Sequence, residues 1–136
     1  MSQQETESAI RRYLDAPVSG GDFAASFSDD VLWTTMETGE QVKGREAVAE
    51  YILGLHERSF DASPELVDLV VGDGLVGLEA VFIATHTAEF AGVPATGREV
   101  RLPYAIFYDV ADGAITALRS HFPVGELVRQ LREAQA

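Results

Sequence analysis

The chain has 136 residues, 46% hydrophobic and 24% charged, proportions that suit one globular domain, residues 1–136, able to bury a core. Lys and Arg total 10 against 22 Asp and Glu, a formal charge of -12, which argues against nucleic-acid partners and anionic membranes because both need clustered basic residues. Cysteine is absent, so disulfides, thiol nucleophiles and cysteine-ligated metals are excluded. No stretch reaches the apolar length of a bilayer span, and the opening residues carry Glu5, Glu7 and Asp15 where a secretory leader is basic and then apolar. A cytoplasmic location is expected.

In chain order, Gln3 to Ala16 predicts a helix. Ser2 caps it with Glu5 three residues on, Ile10, Tyr13 and Leu14 form an apolar stripe, and Pro17 ends it. After Gly20-Gly21, Asp22 caps a short second helix carrying Phe23 and Phe27. Val31 to Thr35 reads as a strand that turns through residues 37–41 into Gln41-Val42-Lys43. Arg45 to Leu55 is a third helix with Val48, Tyr51, Ile52 and Leu55 at helical spacing, continuing through His56 to Phe60 before the Ser63-Pro64 break. Leu66 to Val71 is a strand, followed by a Gly72-Asp73-Gly74 turn. Three long strands then cover Leu75–Thr87, Val100–Asp109 and Ala114–Phe122, the last two joined by the Asp112-Gly113 hairpin signal. Pro123 opens a terminal helix with Leu127, Val128 and Leu131 inward.

Alternation divides the long strands into two faces. Glu79, Val81, Ile83 and Thr85 oppose Leu78, Ala80, Phe82, Ala84 and His86; Arg101, Pro103, Ala105 and Phe107 oppose Leu102, Tyr104, Ile106 and Tyr108. Neither face is uniformly polar. The expected fold is α+β, a curved sheet with helices gathered on one side and a few polar groups turned into a cavity.

The run Thr85 to Gly97, THTAEFAGVPATG, together with Gly113-x-Ile115 and Leu127-Val128-x-Gln130-Leu131, resembles the SnoaL-like branch of the NTF2-like superfamily. The resemblance covers nearly the whole chain. It implies a conical barrel: a strongly curved, mostly antiparallel sheet with three helices on its concave side, a short C-terminal helix, and a pocket running into the cone. It also implies frequent dimerisation across the sheet and cofactor-independent functions that include polyketide cyclases, isomerases, epoxide hydrolases and non-catalytic binders. In cyclases of this type a histidine and an aspartate perform acid/base chemistry. Here Pro123 stands at the commonly acidic position, and proline exchanges no proton.

Candidate site residues follow. His121, in phase with Arg119 and Ile115, replaces the missing carboxylate as base or shares a polar pair on the strand. Glu79, among Leu78, Ala80, Val81 and Phe82, either enters a polar cavity as a proton-sharing group or pairs with Arg101 or Arg119. His86 matches the Thr-His pair of the resemblance and either moves a proton or anchors the following loop. Tyr13, Trp33, Tyr51 and Tyr104 are pocket or core aromatics, with Tyr104 or Arg101 positioned to steady an oxyanion. His56, beside Glu57 and Arg58, is expected to face solvent. The three histidines lack ligand spacing, so no metal site is expected.

The expected activity is acid/base cyclisation or isomerisation of a small apolar carbonyl compound. The alternatives are a non-catalytic small-molecule binder and a protein-association module; a homodimer is expected in any case.

Overall fold

The structure, a computed structural model, describes residues 2–17 and 19–133. Helix α1 spans Gln3–Asp15, and its capping box forms: Ser2 Oγ accepts from Glu5 N at 3.1 Å and the Glu5 carboxylate accepts from Ser2 N at 3.4 Å. Ala16 leaves the helix with ψ of 134°, as the residue before Pro17 must. A 3-10 helix covers Ser19–Ser26 and gives way to strand β1, Phe27–Thr35. Phe27 therefore opens a strand instead of closing a helix, yet its ring still meets Phe23 edge-on at 6.0 Å. Strand β2 is Glu40–Lys43, and helix α2 is Arg45–Leu53.

After α2 the chain widens into one π-helical turn, Gly54–Arg58, and then enters strand β3, Phe60–Ala62. Helical periodicity alone carries the third helix through Phe60. Pairing of Phe60 with His86, where the two rings lie 5.2 Å apart, overrides that local tendency. Strands β4 (Glu65–Val71), β5 (Leu75–His86), β6 (Glu99–Ala111) and β7 (Ala114–His121) follow, and helix α3 (Val124–Glu133) ends the described chain.

Seven strands make one sheet in the order β2-β1-β7-β6-β5-β3, with β4 also paired to β5. Strand β5 is long enough to hold β4 along its first half and β3 along its second. All pairings are antiparallel except β1 with β7. The β6–β7 hairpin turns through Asp112 and Gly113 at φ of 52° and 77°, the left-handed conformation that makes Asp-Gly a hairpin signal. Register shifts between Leu66 and Asp68 and between Asp109 and Val110 insert bulges, and bulges sharpen strand bend and twist. The sheet thereby curls into a cone.

Its concave face is closed by α1, the 3-10 helix and α2. Ile10, Phe23, Phe27, Val31, Val48, Ile52, Val76, Leu78 and Leu118 pack there, and each is at most 7% exposed. A second cluster lies under residues 88–97 and α3, where Phe60, Phe82, Leu102, Phe122, Leu127 and Leu131 interlock. The α+β cone implied by the sequence is what the chain builds. No described helix is long and apolar enough to cross a membrane.

Candidate active site

Between α1, α2 and the concave face lies a cavity of about 360 Å³, a size that suits a small organic molecule. Strand parity decides its wall. Burial alternates along the whole of β5, so Leu78, Ala80 and Phe82 point inward, and Tyr104, Ile106 and Tyr108 do the same from β6. From β7 the inward residues are Leu118 and Ser120, continued past the strand by Phe122.

The histidine of this wall is His56. It sits on the π-helical turn, half-buried, with its ring edge-on to Phe82 at 5.8 Å. Nδ1 lies 3.0 Å from the carbonyl oxygen of Ile52. A carbonyl only accepts, so Nδ1 carries the hydrogen and Nε2 presents its lone pair. Burial pushes the His56 pKa below its ordinary value, against the smaller pull of the Ile52 bond and the Glu57 charge. The ring is therefore neutral at pH 7, a base with a fixed tautomer. π-helical turns occur disproportionately at functional sites, and here the turn is what aims the ring at the cavity.

Three phenols share the cavity wall with it. Tyr13 from α1 stacks edge-on to Tyr108 at 5.8 Å. Burial pushes the hydroxyls of Tyr13 and Tyr108 well above the ordinary tyrosine range, and mutual proximity adds to this: Tyr104 acts on Tyr13, and both act on Tyr108. Burial pushes Tyr104 up to about 12. All three stay protonated at any working pH and can only be neutral donors or acceptors. Trp33 and Tyr51 complete the wall with ring centroids 5.2 Å apart, and the Trp33 indole N–H donates to Thr35 Oγ1 at 3.0 Å.

The other candidates are not brought to the cavity. Glu79 is exposed on the outer face, and Asp68, Glu79, Ala105 and His121 form one transverse row across β4, β5, β6 and β7. His121 is exposed beside Phe107, with ring centroids 5.9 Å apart. The bulge at Thr116 explains why phase with Ile115 misleads: the extra residue turns Ile115 inward while Arg119 and His121 stay out. Arg119 pairs with Asp109 at 2.7 Å, not with Glu79, and Arg101 is exposed with its carbonyl against Gln130.

His86 is fully buried but does not line the cavity. Its Nδ1 accepts from the Thr96 backbone N–H at 3.2 Å and lies 3.0 Å from Thr96 Oγ1, while its own backbone holds Arg98 and Gly97. These bonds close the loop between β5 and β6. Among the described residues, no group of three His, Cys, Asp or Glu comes together to hold a metal.

His56 is thus the site residue that lay outside the expected set. Its neighbours Glu57 and Arg58 are exposed, and their charge makes the stretch read as a wet helix end. The available signal was the His56–Ile52 spacing of four, which continues the apolar stripe of Val48 and Ile52.

The family profile for the SnoaL-like domain matches residues 10–118. No curated protein matches the chain. Among solved structures, a proposed SnoaL-like polyketide cyclase from Jannaschia sp. CCS1 is similar with a TM-score of 0.83 at 18% identity, over 94% of this chain and 92% of that one. A proposed polyketide cyclase from Xanthomonas campestris pv. campestris has a TM-score of 0.77 at 27% identity, over 95% of this chain and 98% of that one. A proposed ketosteroid isomerase from Kribbella flavida has a TM-score of 0.67 at 21% identity, over 88% and 78%. The likenesses at 18% and 21% establish a shared fold.

Proposed function

The chain belongs to the SnoaL-like domain family, and from that premise we propose that it catalyses proton transfer on a small, largely apolar carbonyl compound, as cyclisation or isomerisation. The observation that carries this reading is His56, a neutral imidazole of fixed tautomer lining a cavity that it shares with protonated phenols. In this mechanism Nε2 takes a proton from the carbon beside the ligand carbonyl. A neutral donor of the wall, phenol or hydroxyl, gives a hydrogen bond to the developing enolate oxygen, where a preorganised donor is worth more than in bulk water. His56 then returns the proton at a new carbon in an isomerisation, or the enolate carbon attacks a second carbonyl in a ring closure and the alkoxide formed takes the proton back from His56.

A second reading, a non-catalytic binder, draws support from the wall chemistry: Asp15 is the lone carboxylate among the lining residues. One experiment separates the two. The protein is incubated in D2O with 1-tetralone, an enolisable bicyclic ketone, and deuterium at the carbon beside the carbonyl is followed by NMR. Protein-accelerated exchange supports catalysis; saturable binding without exchange supports the binder.

The outer face supports a homodimer. Val70, Leu75 and Phe107 are 67%, 46% and 41% exposed around a shallow hollow of about 430 Å³. Apolar side chains grouped this way on a sheet face favour burial against a second surface.

A further inference from the structure

Ser120 on β7 is 1% exposed, lines the cavity, and its hydroxyl has no hydrogen-bond partner. Leaving a buried hydroxyl unpaired costs about 1–3 kcal/mol, so native proteins rarely keep one without a use. Its lateral neighbour in the parallel β1–β7 register is Thr35, 4% exposed and on the same wall. Thr35 Oγ1 already accepts the Trp33 indole N–H, and an indole can only donate. The Thr35 hydrogen is therefore free to be given elsewhere.

Two same-face hydroxyls on adjacent strands stand roughly 4.8 Å apart. Two donors each about 2.8 Å from one sp2 oxygen, along its two lone-pair directions, are separated by roughly the same distance. The wall around the hydroxyls carries Phe122, Val124 and Ile106, the charged lining residues of the cavity are Arg11 and Asp15 on α1, and the register partner of Thr35 on β2 is the acidic Glu40. A neutral acceptor is the chemistry that fits.

We propose that Ser120 and Thr35 form a two-donor subsite that receives a neutral carbonyl oxygen of the ligand, with Trp33 orienting Thr35. The proposal rests on the cavity being the ligand site. It narrows the ligand to an uncharged apolar skeleton bearing a ketone at the β1–β7 end, lying two strands from Phe82 and the His56 ring that packs on it. A carboxylate at that position would give up its water for two neutral hydroxyls with the acidic Glu40 next in the register, and is rejected.

The test compares 1-tetralone with tetralin, which has a methylene in place of the carbonyl. Affinities are measured by isothermal titration calorimetry and the ketone stretch of bound tetralone by infrared difference spectroscopy. Wild-type protein is expected to prefer the ketone, and Ser120→Ala to lose about three- to tenfold of that preference, the change that one neutral hydrogen bond supplies. The stretch moves to lower wavenumber in wild type and back up in Ser120→Ala. Thr35→Ser keeps the preference, whereas Thr35→Val loses it. Ser120→Ala folds at least as stably as wild type without ligand, because it removes an unpaired buried hydroxyl, so a lost preference is not a folding defect.

Equal ketone preference in wild type and Ser120→Ala with an unmoved stretch overturns the subsite, as does failure of wild type to bind 1-tetralone. The proton-transfer reading fails separately. A ketone preference dependent on Ser120, without deuterium exchange, would leave the subsite standing and make the protein a carbonyl binder.

Discussion

Replacing His56 by Asn isolates the proposed base. The Asn Nδ2 amide occupies the place of imidazole Nδ1 and can still donate to the Ile52 carbonyl, a bond worth about 0.5–1.5 kcal/mol that the wild type makes at 3.0 Å. What is lost is the Nε2 lone pair and the edge contact on Phe82 at 5.8 Å, an aromatic pair worth about 0.5–1.5 kcal/mol. Stability should therefore fall by no more than about 1.5 kcal/mol, leaving a folded protein that binds 1-tetralone. Catalysis should fall far more: a positioned general base contributes about 10²–10⁴-fold, or about 3–5 kcal/mol of barrier at 1.36 kcal/mol per tenfold.

The assay is deuterium exchange into 1-tetralone across a range of pH. The active form of the base is deprotonated, and burial depresses the His56 pKa, so the acidic limb of the wild-type profile should fall below pH 6.5. His56→Asn should flatten that limb. The same sign applies to stability: with the folded pKa depressed, the contribution is full above about pH 6.5 and is lost as pH falls through the folded value. Exchange in His56→Asn within about threefold of wild type, with the acidic limb in place, would refute the assignment.

Three further outcomes are expected. Thr96→Val removes the hydroxyl that meets His86 Nδ1 and accepts from Arg98 N–H, so it should cost about 0.5–1.5 kcal/mol in urea titration and speed amide exchange over 88–97. Deuterium exchange into 1-tetralone should stay unchanged, because His86 lies off the cavity; a matching loss of turnover would contradict that placement. Stability should decline as pH rises from about 10 through about 12, because the folded Tyr104 pKa lies above the unfolded one. Tyr104→Phe should reduce that decline in alkaline denaturation curves, and an identical pH dependence would count against it. Phe107→Glu places a charge at the centre of the outer apolar patch, so the sedimenting mass should drop from dimer to monomer with exchange activity kept.

The sequence by itself determined a good deal of this protein. The Ser2–Glu5 capping box, the Asp112-Gly113 hairpin, the two-residue alternation along β5 and β6 and the motif from Thr85 to Gly97 establish α1, the antiparallel strands and the family. These are local signals, set by backbone conformations and side-chain periods that few residue types satisfy. They even sort β5 and β6 into their two faces.

Which face carries the chemistry was decided only in three dimensions. Polar residues such as Glu79, Arg119 and His121 read as pocket groups because a one-dimensional pattern cannot tell the concave side of a sheet from the convex one. Curvature comes from bulges such as that at Thr116, and it is the helices that choose the side to cover. The strands' inner wall went to phenols and small hydroxyls, which tolerate desolvation at the cost of one hydrogen bond, while Glu79, Arg101 and the Arg119–Asp109 pair kept their water on the outer face. His56 joined that wall because α2 widens into a π-helical turn before β3, where Phe60 pairs with His86 from 26 residues further along the chain, and no local signal carries a contact of that range.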